Sequence, residues 1–393
     1  MKKVFFFLSI FVLTACSSND EYVPIDVENT PSEVLSTYFD IDFENLSNYA
    51  NQTIPNYITK DNTPADNSIT DLGAILGRVL FYDKNLSANN TISCSSCHKQ
   101  AFAFGDNNIV STGLNGFTGR HSMRLINARF STETRFFWDE RAISLEDQTT
   151  RPIQDHIEMG YSGLEGDPDF NDLIAKLAAT EYYPELFTMV FGDNQITEPR
   201  IQNVLAQFIR SIQSFDSKYD AGRAQVGNDN QNFPNFTQNE NNGKTLFTER
   251  PQFNDQGVRV GGGFGCAGCH RAPEFDIDPN SRNNGVIGIY NSNESDLTIT
   301  RSPSLRDAVN NSGSSNGAFF HDGSAATLED VLNHYNSINQ NNVQLDQRLR
   351  PGGNNLQNLN MTDQEMNDII AFISTLSGQD VYTNEKWSDP FIN

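Results

Sequence analysis

The chain has 393 residues, which is enough for two or three domains that each bury a core. Its 50 Asp and Glu residues against 27 Lys and Arg give a formal net charge of -23 at pH 7. This acidic balance argues against nucleic-acid binding and favours a partner with a basic face.

The first 16 residues have the pattern of an export signal. Lys2 and Lys3 precede an apolar run over 4–12, and Cys16 follows a small residue. The run is too short to span a membrane. The segment resembles a bacterial lipoprotein signal, so we expect residues 1–15 to be removed and Cys16 to be lipidated. The alternative is that Cys16 is lost with an ordinary signal peptide.

Either signal predicts an exported protein. The lipoprotein interpretation puts it in the periplasm or cell envelope, at the outer membrane, where only the lipid anchor contacts the membrane. Residues 16–64 are polar and acidic and have no helical period, which predicts a tether between this anchor and the folded protein.

A first domain is predicted over 65–220. It begins with an amphipathic helix whose apolar stripe is Leu72, Ile75, Leu76, Val79 and Leu80. It closes with a longer helix that starts at Thr197 and has Pro199 in its first turn.

A linker rich in Asn, Gln, Gly and Asp is predicted over 221–236. The second domain covers 237–380 and begins with capping-box spacing at Thr237. Further capped helices are expected to start at Thr327 and Thr362, and residues 381–393 form a C-terminal tail.

Each predicted domain contains one Cys-x-x-Cys-His pentapeptide: Cys94-Ser95-Ser96-Cys97-His98 in the first and Cys266-Ala267-Gly268-Cys269-His270 in the second. In such a motif the two thiols form thioethers to one haem and the histidine ligates its iron. A zinc site or two redox dithiols are the alternatives, but neither requires a His directly after each Cys pair. We therefore expect two covalently bound haem c groups in a mostly α fold of two tandem cytochrome c-like haem domains.

Further segments resemble the bacterial diheme cytochrome c peroxidase family, which includes the MauG-type enzymes. They are Leu76-Gly77-Arg78 with Asp83, 137–142, 148–160 and Phe320-His321-Asp322-Gly323, within a similarity over 71–378.

The resemblance implies a peroxidase that reduces hydrogen peroxide to water with electrons from an exported donor, such as a small cytochrome c. A MauG-like oxidase that acts on a partner protein and a non-enzymatic diheme electron-transfer cytochrome are the alternatives. A homodimer is left open.

The resemblance makes the haem of His98 the site of peroxide chemistry. Glu158 matches the family's acid/base, which moves a proton from one peroxide oxygen to the other so that water leaves. Gln148 and Pro152 lie ten and six residues before it and match residues of the same pocket. Without the resemblance, a lone Glu is more often a solvated surface charge.

Many family members block this iron in the resting state with a second histidine, sixteen residues after the proximal one. Here that position is Leu114, so we predict a haem that needs no reductive activation, with His121 as the alternative ligand. Trp138 matches the tryptophan that lies between the two haems and passes electrons, whereas a buried Trp is otherwise usually core.

The family places the second ligand of the other haem fourteen residues after His321, and here that residue is Tyr335. The position is methionine in the peroxidases and tyrosine in MauG-type enzymes; a phenolate stabilises ferric iron and lowers its potential. The alternatives are that Tyr335 belongs to an apolar helix face, and that Met361 or Met366 is the ligand.

The family also binds a calcium ion between its domains. The matching positions are the side chain of Asn127 and the backbone carbonyls of Asn316 and Ala318. Asn316 and Ala318 stand where the family often has Thr and Pro, so the carbonyls are retained without the rigidity of proline.

Overall fold

The computed structural model describes residues 33–276, 278–298, 301–353 and 355–392. The predicted signal, Cys16 and the start of the predicted tether lie outside these ranges. Among the helices of the described ranges, none combines the length and the apolar character needed to cross a membrane.

The regular secondary structure of the described residues is mostly helical, as predicted, with one small antiparallel sheet. The helices are α1 (Glu33–Tyr38), α2 (Asp71–Tyr82), α3 (Cys94–Cys97), α4 (Leu145–Thr150), α5 (Phe170–Ala178), α6 (Tyr183–Phe191), α7 (Glu198–Ser211), α8 (Lys218–Arg223), α9 (Gln238–Thr248), α10 (Leu328–Asn336) and α11 (Asp363–Ser374). The strands are β1 (Pro251–Phe253) and β2 (Arg259–Gly262). Single 3-10 turns cover Lys84–Leu86, Gln100–Phe102, Cys266–Gly268, Gln347–Leu349, Asp380–Tyr382 and Glu385–Trp387.

Local capping explains where the main helices begin. The predicted starts at Thr197, Thr237, Thr327 and Thr362 are confirmed, because each threonine hydroxyl accepts a hydrogen bond from a backbone N–H in the first turn of its helix. Such a cap satisfies one of the backbone donors that a helix leaves open at its N-terminus.

The first core forms where α2 crosses α7. Gly77 allows the close approach: a Cβ there would lie 2.0 Å from the carbonyl oxygen of Val204. The apolar face of α2 is fully buried, and each such side chain contributes about 1.5–3 kcal/mol.

The second core contains a similar close helix crossing at a glycine, where α9 packs on α11. A Cβ at Gly243 would lie 1.9 Å from the carbonyl oxygen of Asp368. Gly77 and Gly243 are each followed by a buried basic residue, Arg78 or Lys244, and then by x-Leu-Phe. The two halves therefore share one helix crossing, which is consistent with two cytochrome c-like domains.

The segment predicted as a tether packs against the first core over its described part. Leu35, Phe39 and Tyr49 are buried there. The predicted linker 221–236 also differs from expectation, because α8 overlaps it and Phe233 and Phe236 belong to the second core. Aromatic side chains override the polar composition in both segments.

The predicted tail also packs against the first core. Val381 and Trp387 are buried in it, although they follow the second domain in sequence. The Arg78 Nε donates to the Ser388 carbonyl (2.6 Å), and the Tyr82 hydroxyl donates to the Trp387 carbonyl (2.7 Å).

Candidate active site

A cavity of about 610 Å³ opens beside the first pentapeptide. The structure brings together on its wall every residue that the sequence assigned to the first haem and its chemistry. They are Cys94, Cys97, His98, Trp138, Gln148, Pro152 and Glu158.

Helix α3 presents the first Cys pair to this cavity. Its N-terminus is closed by the Ser93 N–H, which donates to the Ser96 hydroxyl (3.0 Å). The imidazole of His98 donates through Nδ1 to the Phe104 carbonyl (3.0 Å). This bond fixes the ring and leaves Nε2 as the nitrogen for a metal, the usual arrangement of an iron-ligating histidine.

The Cys residues of both motifs are half-buried. Burial raises the pKa of Cys94 and Cys266 to about 12, and that of Cys97 and Cys269 to about 11. Redox-active cysteines have lowered pKa values, so this environment disfavours the dithiol alternative.

A zinc site receives no support either. The described part of the chain contains no group of three or more His, Cys, Asp or Glu side chains that could hold a metal ion. The cavity and its fixed His98 therefore fit a covalent haem best.

Glu158 lies half-buried on the cavity wall. Burial raises the pKa of its carboxyl to about 7; the charge of Asp155 adds to this effect and that of Arg141 opposes it. A carboxyl with a pKa near neutrality can both accept and return a proton. Asp155 was not singled out in the sequence, where nothing distinguishes it from other surface aspartates.

Leu114 is not part of the cavity wall. Its side chain packs beside Gly160, with Cδ1 3.2 Å from where a Cβ on that residue would lie. His121 does line the cavity, but its Nδ1 faces the carbonyls of Asn108 (3.1 Å) and Ile109 (3.0 Å). It therefore stays the alternative ligand, with one ring nitrogen already engaged.

Trp138 connects this cavity to the second half. It is 7% exposed, and its indole N–H donates to the His121 carbonyl (2.8 Å). Its ring centroid lies 6.2 Å from that of His321, and the neighbouring Phe320 lies 6.3 Å from Tyr335. The adjacent residues His321 and Phe320 thus lie near Trp138 and Tyr335, respectively.

The second pentapeptide lies on the 3-10 turn Cys266–Gly268. Burial lowers the pKa of His270 to about 4, which keeps its imidazole in the neutral, metal-binding form. The backbone of Pro303 acts the other way and raises this pKa. Arg348, which the sequence did not single out, donates to the Gly268 carbonyl and pairs with Asp278.

Tyr335 lies in α10 beside the second Cys pair. Burial raises the pKa of its phenol; the hydrogen bond from Asn284 acts the other way, and the nearby Cys269 and Cys266 thiols raise the pKa further. Tyr335, Met361 and Met366 all pack at the edge of the second core, so the apolar helix face and the two methionines remain the alternatives to ligation by Tyr335.

The residues that match the family's calcium site do not all have a free oxygen for the ion. Both atoms of the Asn127 amide bond the backbone of Ser214, with Oδ1 accepting from its N–H (2.9 Å). Asn316 is fully buried, and within the described residues its side-chain Oδ1 has no partner. Ala318 is half-buried. The matched Asn127 oxygen thus already serves the backbone.

Known proteins resemble the chain at the level of sequence and fold. A family model described as di-haem cytochrome c peroxidase matches residues 72–228. The methylamine utilization protein MauG of Methylophilus methylotrophus is 28% identical over 80% of this chain and 85% of that protein. The cytochrome c551 peroxidase of Nitrosomonas europaea is 28% identical over 78% of this chain and 80% of its own length.

A solved MauG-like protein associated with microbial copper homeostasis shares the fold. It superposes with a TM-score of 0.65 at 27% identity, covering 86% of this chain and 99% of that one.

Proposed function

We propose that this chain is a member of the di-haem cytochrome c peroxidase family and an enzyme that reduces hydrogen peroxide to water, because it is similar to such proteins in sequence. Two electrons and two protons convert each peroxide into two waters, and the electrons come from an exported cytochrome c or another small donor. The observation that supports this best is the single cavity lined by Cys94, Cys97, His98 and Glu158.

The cavity would hold one haem c through Cys94, Cys97 and His98, and Cys266, Cys269 and His270 would hold the other. Haem c supplies the iron redox chemistry of the reaction when it is bound. The protein's own part is to admit peroxide, move its proton and connect the two halves.

Glu158 is the residue for the proton. Its half-buried carboxylate would take a proton from one peroxide oxygen and return it to the other, so that the second oxygen leaves as water. Gln148 and Pro152 share its wall and would limit how peroxide lies there. The absence of an imidazole at Leu114 supports an enzyme that is active without prior reduction.

Electrons would pass between the halves through Trp138, which contacts His121 and His321. Tyr335 would hold the second haem together with His270, and its position beside Cys266 and Cys269 supports this role.

Tyr335 also favours a second candidate function, a MauG-like oxidase that withdraws electrons from a partner protein after reaction with peroxide. The two candidates differ only in the source of the electrons. A non-enzymatic electron-transfer cytochrome would need no acid/base on the cavity wall, and Glu158 argues against it.

Lipidation at Cys16 and one calcium ion complete the proposal. The anchor is supported by the signal sequence alone, and calcium by the resemblance at Asn127, Asn316 and Ala318. Mass spectrometry of the mature N-terminus and metal analysis of the purified protein test them.

Steady-state peroxide reduction with reduced donors, measured with and without prior reduction of the enzyme, tests the function. We expect turnover with a small cytochrome c and no lag in the oxidised enzyme. The peroxidase proposal would be overturned if none of the donors tested supported peroxide reduction. A lag that disappears after prior reduction of the enzyme would overturn the role given to Leu114.

A further inference from the structure

A tight hairpin over 111–118 lies directly against the loop that carries Glu158. The hairpin is closed by the Thr118 N–H, which donates to the Ser111 carbonyl (2.9 Å), and by the Gly113 N–H, which donates to the Gly116 carbonyl (2.8 Å). It is therefore a preformed element and not a loose loop.

Three hydrogen bonds join this hairpin to the Glu158 loop. The Leu114 N–H donates to the Glu158 carbonyl (2.9 Å), and the Asn115 N–H donates to the Ile157 carbonyl (3.0 Å). The Asn115 side chain adds a bond from Nδ2 to the His156 carbonyl (2.8 Å). Three successive carbonyls, at 156, 157 and 158, are thus held by two residues of the hairpin.

Gly113 sets how closely the two segments approach. A Cβ there would lie 2.2 Å from the Ile157 carbonyl oxygen and 2.9 Å from the Glu158 Cα. Gly113 is buried and does not have the left-handed backbone that favours glycine. The position therefore excludes a side chain only because the Glu158 loop occupies its space.

The other side of Glu158 is also fixed. Its N–H donates to the Asp155 carboxylate (3.0 Å), which also accepts from the Ile157 N–H (2.8 Å). With its N–H held by Asp155 and its carbonyl held by Leu114, Glu158 has a defined backbone position. Only its side-chain torsions are left to move the carboxyl in the cavity.

We propose that the 111–118 hairpin positions Glu158 on the cavity wall, with Gly113 and Asn115 as its positioning residues. This inference rests on the proposed function and deepens it. Neither residue lines the cavity, so each acts through the backbone of 156–158.

The test compares Gly113→Ala and Asn115→Ala with Gly227→Ala in the holoenzyme. A Cβ at Gly227 would meet only the Gln231 side chain, at 3.7 Å, and Gly227 lies outside the cavity. For each variant, kcat and KM for peroxide are measured across pH 5 to 9, together with Tm and the haem absorption spectrum.

We expect Gly113→Ala to lower kcat/KM about 10- to 100-fold, mainly through kcat, because a displacement of about 1 Å is enough for such a loss. Asn115→Ala removes one bond at an exposed side chain, and we expect about a 3- to 10-fold loss. The wild-type activity should fall at acid pH as the Glu158 carboxylate is protonated, and we call this fall the acid limb of the pH profile. Both variants should move the acid limb to lower pH, because a displaced carboxyl contacts more water and its pKa decreases.

Asp155 and Arg141 are the charged groups that act on this carboxyl, and both are unchanged in these variants. A merely structural role for the hairpin would change Tm without moving the limb.

The inference would be overturned if Asn115→Ala kept the wild-type kcat/KM and the acid limb did not move. The same result in Gly113→Ala, if that variant folds, would also count against it. If Glu158→Gln itself keeps full activity, the proposed function fails instead. The two failures are therefore distinguishable.

Discussion

The side-chain amide of Asn284 donates a hydrogen bond to the hydroxyl oxygen of Tyr335, 3.1 Å away. The carbonyl of Asn284 accepts from Nε2 of His334, the residue before Tyr335 (2.9 Å). One asparagine thus holds two neighbouring side chains of α10. A donor aimed at a phenol oxygen stabilises the phenolate, which is the form that binds ferric iron.

Tyr335→Phe removes that oxygen. We expect the second haem to change from a six-coordinate to a five-coordinate, high-spin ferric state, because the proposed phenolate ligand is lost. Its reduction potential should rise by on the order of 100 mV, within the roughly 0.8 V range that axial ligands cover. Absorption and paramagnetic-resonance spectra with a potentiometric titration measure both effects.

Asn284→Ala keeps the ligand and removes the donor. The phenolate then gives more charge to the iron, so the potential should fall, opposite to the effect of Tyr335→Phe. Tyr290→Phe, at an exposed tyrosine of the same half, is the control. An unchanged spectrum in Tyr335→Phe would rule out ligation by Tyr335.

Glu158→Gln should lower kcat/KM for peroxide by about 10²- to 10⁴-fold, the usual contribution of a general acid/base. In the wild type, burial places the pKa of Glu158 at about 7, and the carboxylate is the form that takes up the proton. Activity should therefore fall as pH decreases below about 7, and this limb should be absent in Glu158→Gln. Stopped-flow or steady-state kinetics across pH measure it.

The matched control is Glu165→Gln, on the same loop with a side chain that is 77% exposed. It should keep both the rate and the pH limb. If the limb persists in Glu158→Gln, another group carries the proton.

Gly77→Ala and Gly243→Ala should each destabilise one half. The added Cβ would meet a backbone carbonyl at 2.0 or 1.9 Å, so α2 must separate from α7, or α9 from α11. We expect losses of about 1–3 kcal/mol or more in the free energy of unfolding, measured by denaturant titration. Gly261→Ala is the control, since its Cβ would make only an ordinary contact at 3.5 Å. Equal stability of all three variants would contradict the claim that Gly77 and Gly243 are needed for the close approach of their helices.

Arg306→Met should destabilise the fold by about 3–5 kcal/mol, because it leaves the buried carboxylate of Asp220 without its charge partner. Arg306 contacts both oxygens of Asp220 at 2.9 Å, and its side chain is fully buried. The double variant Arg306→Met with Asp220→Asn should recover part of the loss. Equal losses in the single and double variants would show that the charge pair is not the cause.

The same pair predicts a pH dependence of stability. Burial acts to raise the pKa of Asp220, but Arg306 and further hydrogen bonds outweigh burial and lower it. Because the folded pKa is below the unfolded one, the contribution is complete above the ordinary Asp value of about 3.9 and is lost as pH falls through the lower folded value. Unfolding curves at pH 7 and pH 3 in wild type and Asp220→Asn test this.

The sequence predicted what depends on short stretches of chain. The pentapeptides, the capped starts of α7, α9, α10 and α11 and the apolar stripe of α2 are all local patterns. The residues lining the cavity could be grouped only through the family resemblance, because Glu158 lies sixty residues from His98 in sequence.

Contacts made by polar side chains with distant backbone could not be predicted. Asn115 reaching His156 and Asn284 reaching Tyr335 have no periodicity that marks them. Composition misled for 33–64 and 381–392, because a few aromatic residues among polar ones are enough to attach a segment to a core.

Trp387, buried in the first core with its carbonyl bonded to Tyr82, has a consequence for the order in which the protein matures. The segment 380–392 is synthesised after both pentapeptides, so the first core stays open while the chain emerges. Trp387 can therefore complete the first core only after the second half of the chain has been made.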